Sequence, residues 1–143
     1  MPKTKIVFPE KFTFVTMIPI RITDLNYGGH VGNDSILSLI HEARVQFLRH
    51  HGYTELDMAG AGLIMADLSI EFKSELMYGD TLRASLAAAE FSRVGFELYY
   101  KLEKGSGDKW VPAVYARTGM VCFNYTTRKV ASIPEEAAKK LSH

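Results

Sequence analysis

The chain has 143 residues, of which 47% are hydrophobic, and a formal net charge of +1 at pH 7. This length and apolar content suffice for one domain, residues 1–143, that buries a core without disulfides or a structural metal. The near-neutral charge and the scattered basic residues argue against a nucleic-acid partner. Cys122 is the single cysteine, so the sequence excludes an intramolecular disulfide and a cysteine-based zinc site.

The N-terminal segment, residues 1–10, carries lysines but no apolar run, and no stretch approaches the roughly 20 apolar residues of a membrane span. We therefore expect a soluble, cytoplasmic protein without a membrane partner. No cofactor is expected. A metal site is not expected either, because His41, His50 and His51 lack the spacing and the third ligand of such a site.

The first half of the chain predicts one strand and one long helix. A β-rich run predicts a strand over residues 12–22, which Pro19 restricts to a sheet edge or a bulge. Apolar residues at positions 36, 40, 43 and 47 predict a helix over residues 35–51, capped by Asn33 or Asp34 and ended by Gly52. Arg44 falls within the apolar arc of this helix and needs a buried partner, for which Asp24 is one candidate.

The second half is rich in strands. Further β-rich segments cover residues 63–72, 81–91, 95–102 and 111–124, and Pro134 begins a short C-terminal helix. One long helix followed by hairpin-connected strands predicts an α+β fold, in which an antiparallel sheet wraps an apolar helix.

The segment directly before the long helix, residues 24–33, reads Asp-Leu-Asn-Tyr-Gly-Gly-His-Val-Gly-Asn. It places a carboxylate, an amide, an imidazole and a glycine turn beside the N–H groups and the positive dipole end of the helix. Such a helix N-terminus can hold an oxyanion. An ordinary turn with a helix cap is the alternative interpretation.

Other short motifs follow this segment in a characteristic order. They are Glu42-Ala43-Arg44, Glu71-Phe72 and Tyr78-Gly79-Asp80. In order and spacing, residues 12–133 resemble the hotdog-fold acyl thioesterases of the 4-hydroxybenzoyl-CoA thioesterase type. The resemblance implies a hotdog fold, with a long central helix wrapped by a five-stranded antiparallel sheet. It also implies a homodimer or homotetramer that hydrolyses an acyl-CoA or acyl-carrier-protein thioester at a site where subunits meet.

Thioester hydrolysis needs a base or nucleophile and donors for the carbonyl oxygen. The backbone N–H groups of Val31, Gly32 and Asn33 open the helix and are the expected oxyanion donors. The residues expected to bind the substrate are Tyr27, Gly28 and Gly29 in the turn, and Arg93, which lies in a turn where it can meet the CoA phosphates.

The catalytic carboxylate is the main open question of the sequence. In the best-known members of the family, the second acid of an Asp-x-Asp element is catalytic, and this chain has Asn26 there. Asparagine can hydrogen-bond water or the thioester oxygen, but it cannot ionise. Asp24 is the first candidate for the missing acid, since it shares a face with Asn26. Its alternative role is to bond the turn backbone.

Glu75 is the second candidate for the catalytic acid. Residues 71–75 are similar to a strand of plant acyl-carrier-protein thioesterases in which the later glutamate is catalytic, and those enzymes also have a histidine at the position of His30. His30 can orient water or exchange protons near neutral pH. The alternatives are a solvated Glu75 and a structural His30, while Glu42 is interpreted as structural.

Two other functions remain open. Because Asn26 replaces the expected acid, the chain could bind an acyl thioester without hydrolysing it. A hotdog dehydratase is a third interpretation, since it also pairs a histidine with an acid.

Overall fold

The computed structural model describes residues 5–26 and 28–143. In chain order its elements are strand β1 (Phe14–Pro19), a 3-10 turn (Ile22–Asp24), helix α1 (Asn33–His50), β2 (Gly62–Phe72), β3 (Thr81–Ala89), β4 (Gly95–Ser106), β5 (Lys109–Asn124), β6 (Lys129–Val130) and helix α2 (Glu135–Leu141). All the predicted strands and both predicted helices are present, which confirms the α+β fold.

The strands form one antiparallel sheet with the order β1-β3-β4-β5-β2, and the short strand β6 pairs with β5. Strand β6 adds a sixth strand that the sequence did not predict. Strand β1 lies at one edge, where Pro19 interrupts no central ladder. Strand β2 forms the other edge and is 11 residues long.

Strand ends differ from the sequence prediction in two places. Strand β1 ends at Pro19, because the chain turns into the 3-10 turn at Ile22. Strands β4 and β5 extend to a tight hairpin in which Ser106 pairs with Lys109. Gly105 lies within β4, where it pairs with Trp110, so the strands extend beyond the predicted bounds of 102 and 111.

Helix α1 packs its apolar stripe on one face of the sheet. Ile36, Ile40, Ala43 and Phe47 are at most 3% exposed, which confirms the helical period. The predicted side-chain cap is wrong: the helix begins at Asn33, Gly32 is the N-cap, and no side chain caps it. Its end is confirmed, because Gly52 has a φ of +84° and donates its N–H to the Arg49 carbonyl at 2.9 Å.

The segment before β1 crosses the opposite face of the sheet. The Phe8 ring packs edge-on against Phe12, Tyr99 and Tyr115, with centroid distances between 4.8 and 6.4 Å. Helix α1 therefore covers one face of the sheet, and the N-terminal segment covers part of the other, where Val15 and Met17 of β1 remain exposed. Among the described residues, no helix is long and apolar enough to cross a membrane.

Helix α2 docks beside the end of α1. The Tyr53 hydroxyl donates to Glu136 Oε2 at 2.8 Å, and Lys140 Nζ lies 5.1 Å from the centre of the Tyr53 ring. His51 sits in this junction. Burial lowers the pKa of His51 below 6.5, and the nearby charges of His50 and Lys140 lower it further.

We expect this junction to make the free energy of unfolding depend on pH. The fold disfavours protonated His51, so the unfolded chain binds more protons between the two pKa values. Stability is therefore complete above pH 6.5 and falls as the pH drops from 6.5 toward the lower folded pKa. Urea unfolding at pH 5 to 8 measures this slope. The His51→Gln variant should have a shallower slope, and an equal slope in both proteins would contradict the assignment.

Candidate active site

The turn before α1 is organised by Asn26. Its backbone N–H donates to the His30 carbonyl at 2.8 Å, and its side-chain Oδ1 accepts the N–H groups of Gly28 at 2.9 Å and His30 at 3.3 Å. Gly29 has a φ of +80°, a conformation that favours glycine. Tyr27, a predicted substrate-binding residue, lies outside the described residues. Asn26 therefore closes the turn with its side-chain oxygen and leaves its amide nitrogen to donate.

The turn is joined to the connection between β2 and β3. The Val31 N–H donates to the Leu76 carbonyl at 2.9 Å, and His30 forms an isolated β-bridge with Met77. The Val31 N–H is therefore already used inside the protein, which argues against the prediction that it is an oxyanion donor. The same hydrogen bond brings Glu75 to the helix N-terminus.

The other two predicted oxyanion donors are Gly32 and Asn33. Within the described ranges, the N–H groups of Gly32 and Asn33 have no hydrogen-bond partner. Both residues line the cleft at the positive end of the α1 dipole. A Cβ at position 32 would lie 2.9 Å from Oδ1 of the exposed Asp34 side chain, so a larger residue there would require that side chain to move.

His30 and Glu75 lie side by side at this position. The distance between His30 Nδ1 and Glu75 Oε2 is 3.3 Å, and their side chains are 40% and 75% exposed. The two groups are close but not aligned, since Nδ1 makes no well-directed hydrogen bond in the described part of the chain. Lys104 Nζ donates to the Glu75 carbonyl and fixes the backbone that carries the carboxylate. The exposed Glu75 carboxylate can bind a water molecule from solvent, while the imidazole of His30 lies against its other side.

These groups line one cleft of about 540 Å³. Its polar mouth consists of Asn26, His30, Asn33, Ser74 and Glu75. Its inner wall consists of Ile36, Leu76 and Val114, which come from α1, the β2–β3 connection and β5. The sequence did not identify Ser74 or the inner wall, because nothing in the local pattern reveals which buried side chains face a cavity.

Asp24 lies apart from this cleft. It is 5% exposed, and its Oδ2 accepts the Arg21 N–H at 2.8 Å. It lines a separate groove between β1 and α1, together with Glu42. The structure thus gives Asp24 the backbone-bonding geometry that the sequence left as its alternative. Glu42 accepts a hydrogen bond from Gln46 at 2.6 Å.

Asp24, which the sequence offered as one candidate partner of Arg44, does not pair with it. Arg44 donates from Nη1 to the Tyr100 hydroxyl at 3.1 Å, and its Nε lies 3.5 Å from Glu55 Oε2. Tyr100 in turn hydrogen-bonds Thr118 at 2.7 Å. The position of Arg44 in the apolar arc predicted that it has a buried partner. The pattern did not identify Glu55 as this partner, because Glu55 lies in an irregular connection whose position the sequence does not predict.

The other predicted binding residues are farther from the chemistry. Gly28 and Gly29 are exposed in the turn and do not line the cleft. Arg93 is exposed in the turn after β3, whereas Glu75 lies before the other end of that nine-residue strand. A single chain therefore does not bring Arg93 to the cleft.

The described residues do not suggest a metal site or a cysteine nucleophile. Residues 5–26 and 28–143 contain no cluster of three or more acidic, histidine or cysteine side chains suited to a metal. Cys122 is buried, and burial raises the pKa of its thiol to about 11. The thiol is therefore protonated at neutral pH, as a structural cysteine is.

A long helix packed on one antiparallel sheet, with a cleft at its N-terminus, defines a hotdog protein and confirms the expected fold. The chain belongs to the thioesterase-like superfamily, whose sequence profile matches residues 20–141. Membership supports hydrolysis of thioesters in general. The sequence matches no curated protein significantly.

Solved structures share this fold at low sequence identity. A 1,4-dihydroxy-2-naphthoyl-CoA thioesterase from Synechocystis is 21% identical, with a TM-score of 0.78 over 90% of this chain and 94% of that chain. A DHNA-CoA thioesterase from Staphylococcus aureus is 19% identical, with a TM-score of 0.73 over 82% and 78% of the two chains. A gentisyl-coenzyme A thioesterase is 18% identical, with a TM-score of 0.78 over 90% and 100%.

Proposed function

We propose that the protein hydrolyses an acyl-CoA or acyl-carrier-protein thioester, with Glu75 as general base and His30 beside it. One observation carries the proposal: the His30–Glu75 pair and the N–H groups of Gly32 and Asn33 line the same cleft. The superfamily supports the reaction type, and the named CoA thioesters of the similar structures support this class of substrate.

The proposed reaction begins with a water molecule bound to the exposed Glu75 carboxylate, which lies beside His30. The water attacks the acyl carbon, and the Glu75 carboxylate takes its proton. The carbonyl oxygen becomes negative and accepts hydrogen bonds from the N–H groups of Gly32 and Asn33, each worth roughly 100- to 1,000-fold in rate. The carbon–sulfur bond then breaks, and the thiolate takes the proton from Glu75.

Asn26 has a supporting role in this mechanism. Its oxygen is engaged by the Gly28 and His30 N–H groups, so it cannot also orient the attacking water. A Cβ at position 32 would lie 3.9 Å from its amide nitrogen, which places this donor beside the helix N-terminus. We propose that Asn26 maintains the turn and adds a donor on the side where the carbonyl oxygen binds.

We also propose that the active enzyme is a homo-oligomer. Strand β2 is a sheet edge on which Ile64, Leu68 and Ile70 are only half-buried, and Phe72 at its end is 57% exposed. Long apolar edges of this kind invite pairing with a second copy. Because Phe72 lines the cleft, antiparallel pairing along β2 would bring the second copy to the cleft mouth. The expected cytoplasmic location stays a prediction.

Release of free thiol from a panel of acyl-CoAs tests the proposal. We expect release from at least one acyl-CoA, with the same acyl group also presented on an acyl-carrier protein to compare carriers. The rival function is non-hydrolytic binding, which Asn26 favours because it cannot ionise. Acyl-CoA that stays bound and intact in the presence of the protein, for every acyl group offered, would support the rival instead.

A further inference from the structure

The inner end of the cleft is closed by three aliphatic side chains. Ile36, Leu76 and Val114 line the cleft, yet they are only 3%, 2% and 1% exposed. They come from three different elements and meet as a continuous apolar floor. An acyl group that enters from the polar mouth must end against this floor.

The floor lies close to the place where the carbonyl oxygen binds in the proposed reaction. The Ile36 N–H donates to the Gly32 carbonyl at 3.0 Å, so Ile36 is one helical turn from the donors. One turn of helix rises about 5.4 Å. Helical side chains also lean toward the N-terminus, which brings the Ile36 side chain still closer to Gly32 and Asn33. The distance between the donor N–H groups and the floor therefore leaves little depth for an acyl chain.

The layer behind the floor is filled. Ile40 and Arg44 follow Ile36 at intervals of four residues on the same face of α1, about 6 and 12 Å farther along the axis. Ile40 is 2% exposed, and Arg44 is 5% exposed and bonded to Tyr100. A long chain running between helix and sheet would have to displace packed side chains and separate a buried polar network, which is costly.

We infer that Ile36 and Val114 restrict the substrate to short or compact acyl groups and exclude long-chain fatty acyl groups. This inference rests on the proposed function, which supplies the acyl thioester as the ligand. The floor limits the length of the bound acyl group whether or not the thioester is hydrolysed. Because one methylene in an apolar pocket changes discrimination by tenfold or more, small changes at these two positions should change the length preference measurably.

The experiment measures binding and rate separately. Dissociation constants are measured for non-hydrolysable thioether analogues of acetyl-, butyryl-, octanoyl- and palmitoyl-CoA, and kcat/KM for the matching thioesters. The variants are Val114→Ala, Val114→Ile and Ile36→Val. The control is Ile20→Val, which removes the same methylene from a residue that is 4% exposed and does not line the cleft. Thermal melting verifies that each variant is folded.

We expect the wild-type protein to prefer a short analogue and to reject palmitoyl. Val114→Ala and Ile36→Val should move the preference toward longer chains by roughly tenfold in selectivity, and Val114→Ile should move it toward shorter ones. Ile20→Val should keep the wild-type ranking. The inference is overturned if the wild-type protein accepts palmitoyl as readily as butyryl, or if folded floor variants keep the wild-type ranking. Binding with the expected ranking but no thiol release would overturn the proposed hydrolysis alone.

Discussion

We expect kcat for the preferred acyl-CoA to fall by roughly 100- to 10,000-fold in Glu75→Gln, with KM nearly unchanged. Glutamine keeps the size of the side chain but cannot take a proton from water. In the proposed mechanism the Glu75 carboxylate acts on the transition state and not on the bound acyl group, so the loss should be in turnover. Steady-state thiol release at saturating substrate measures it.

Asp24→Asn is the matched comparison for this variant. Asp24 caps the Arg21 N–H and lies in a separate groove, so this variant should retain turnover within a few-fold. The reverse result, with Asp24→Asn inactive and Glu75→Gln active, would assign the base to Asp24. If both variants are as active as the wild-type protein, neither Asp24 nor Glu75 is the catalytic base.

The second large effect is expected on stability, in Arg44→Met. Arg44 joins α1 to Glu55 and Tyr100, and its removal leaves the half-buried Glu55 carboxylate without its cation. Breaking a buried pair in this way typically costs about 3 to 5 kcal/mol, and Glu55 keeps a contact with His41, so we expect about 3 kcal/mol. Urea unfolding monitored by tryptophan fluorescence measures the change.

Arg49→Met provides the control on the same helix. Arg49 is exposed, so its replacement should change the free energy of unfolding by no more than about 0.5 kcal/mol. A double variant, Arg44→Met with Glu55→Gln, should destabilise less than the sum of the single changes, because the pair is then removed together. Strict additivity would show that Arg44 and Glu55 are not coupled.

The fold was predictable because its signals are local. The three- and four-residue spacing of apolar residues in α1 and the β-rich runs can be recognised from residues that are close in sequence. The structure has each of these elements. The helix cap was mispredicted for a local reason too. Asn33 and Asp34 are good capping residues, but the helix begins earlier than their capping would require, so Gly32 occupies the N-cap position.

The candidate site was only partly predictable, because its parts meet over long distances in sequence. His30 and Glu75 were each singled out by resemblance, and their closeness follows from the bond between Val31 and Leu76. That same bond removes Val31 as a donor, and no pattern around Val31 reveals it. The roles of His30, Glu75, Gly32 and Asn33 stay predictions until variants are measured.

The bond from Val31 to Leu76 and the bridge from His30 to Met77 are made by main-chain atoms. These two links do not depend on the identity of the side chains that the segments display, whereas the turn itself also uses the Asn26 side chain. The ionisable group of the proposed site can therefore stand on either segment while the main-chain link between them is kept. Position 26, where this chain has asparagine, offers protein engineers a place at which a second acid can be tested.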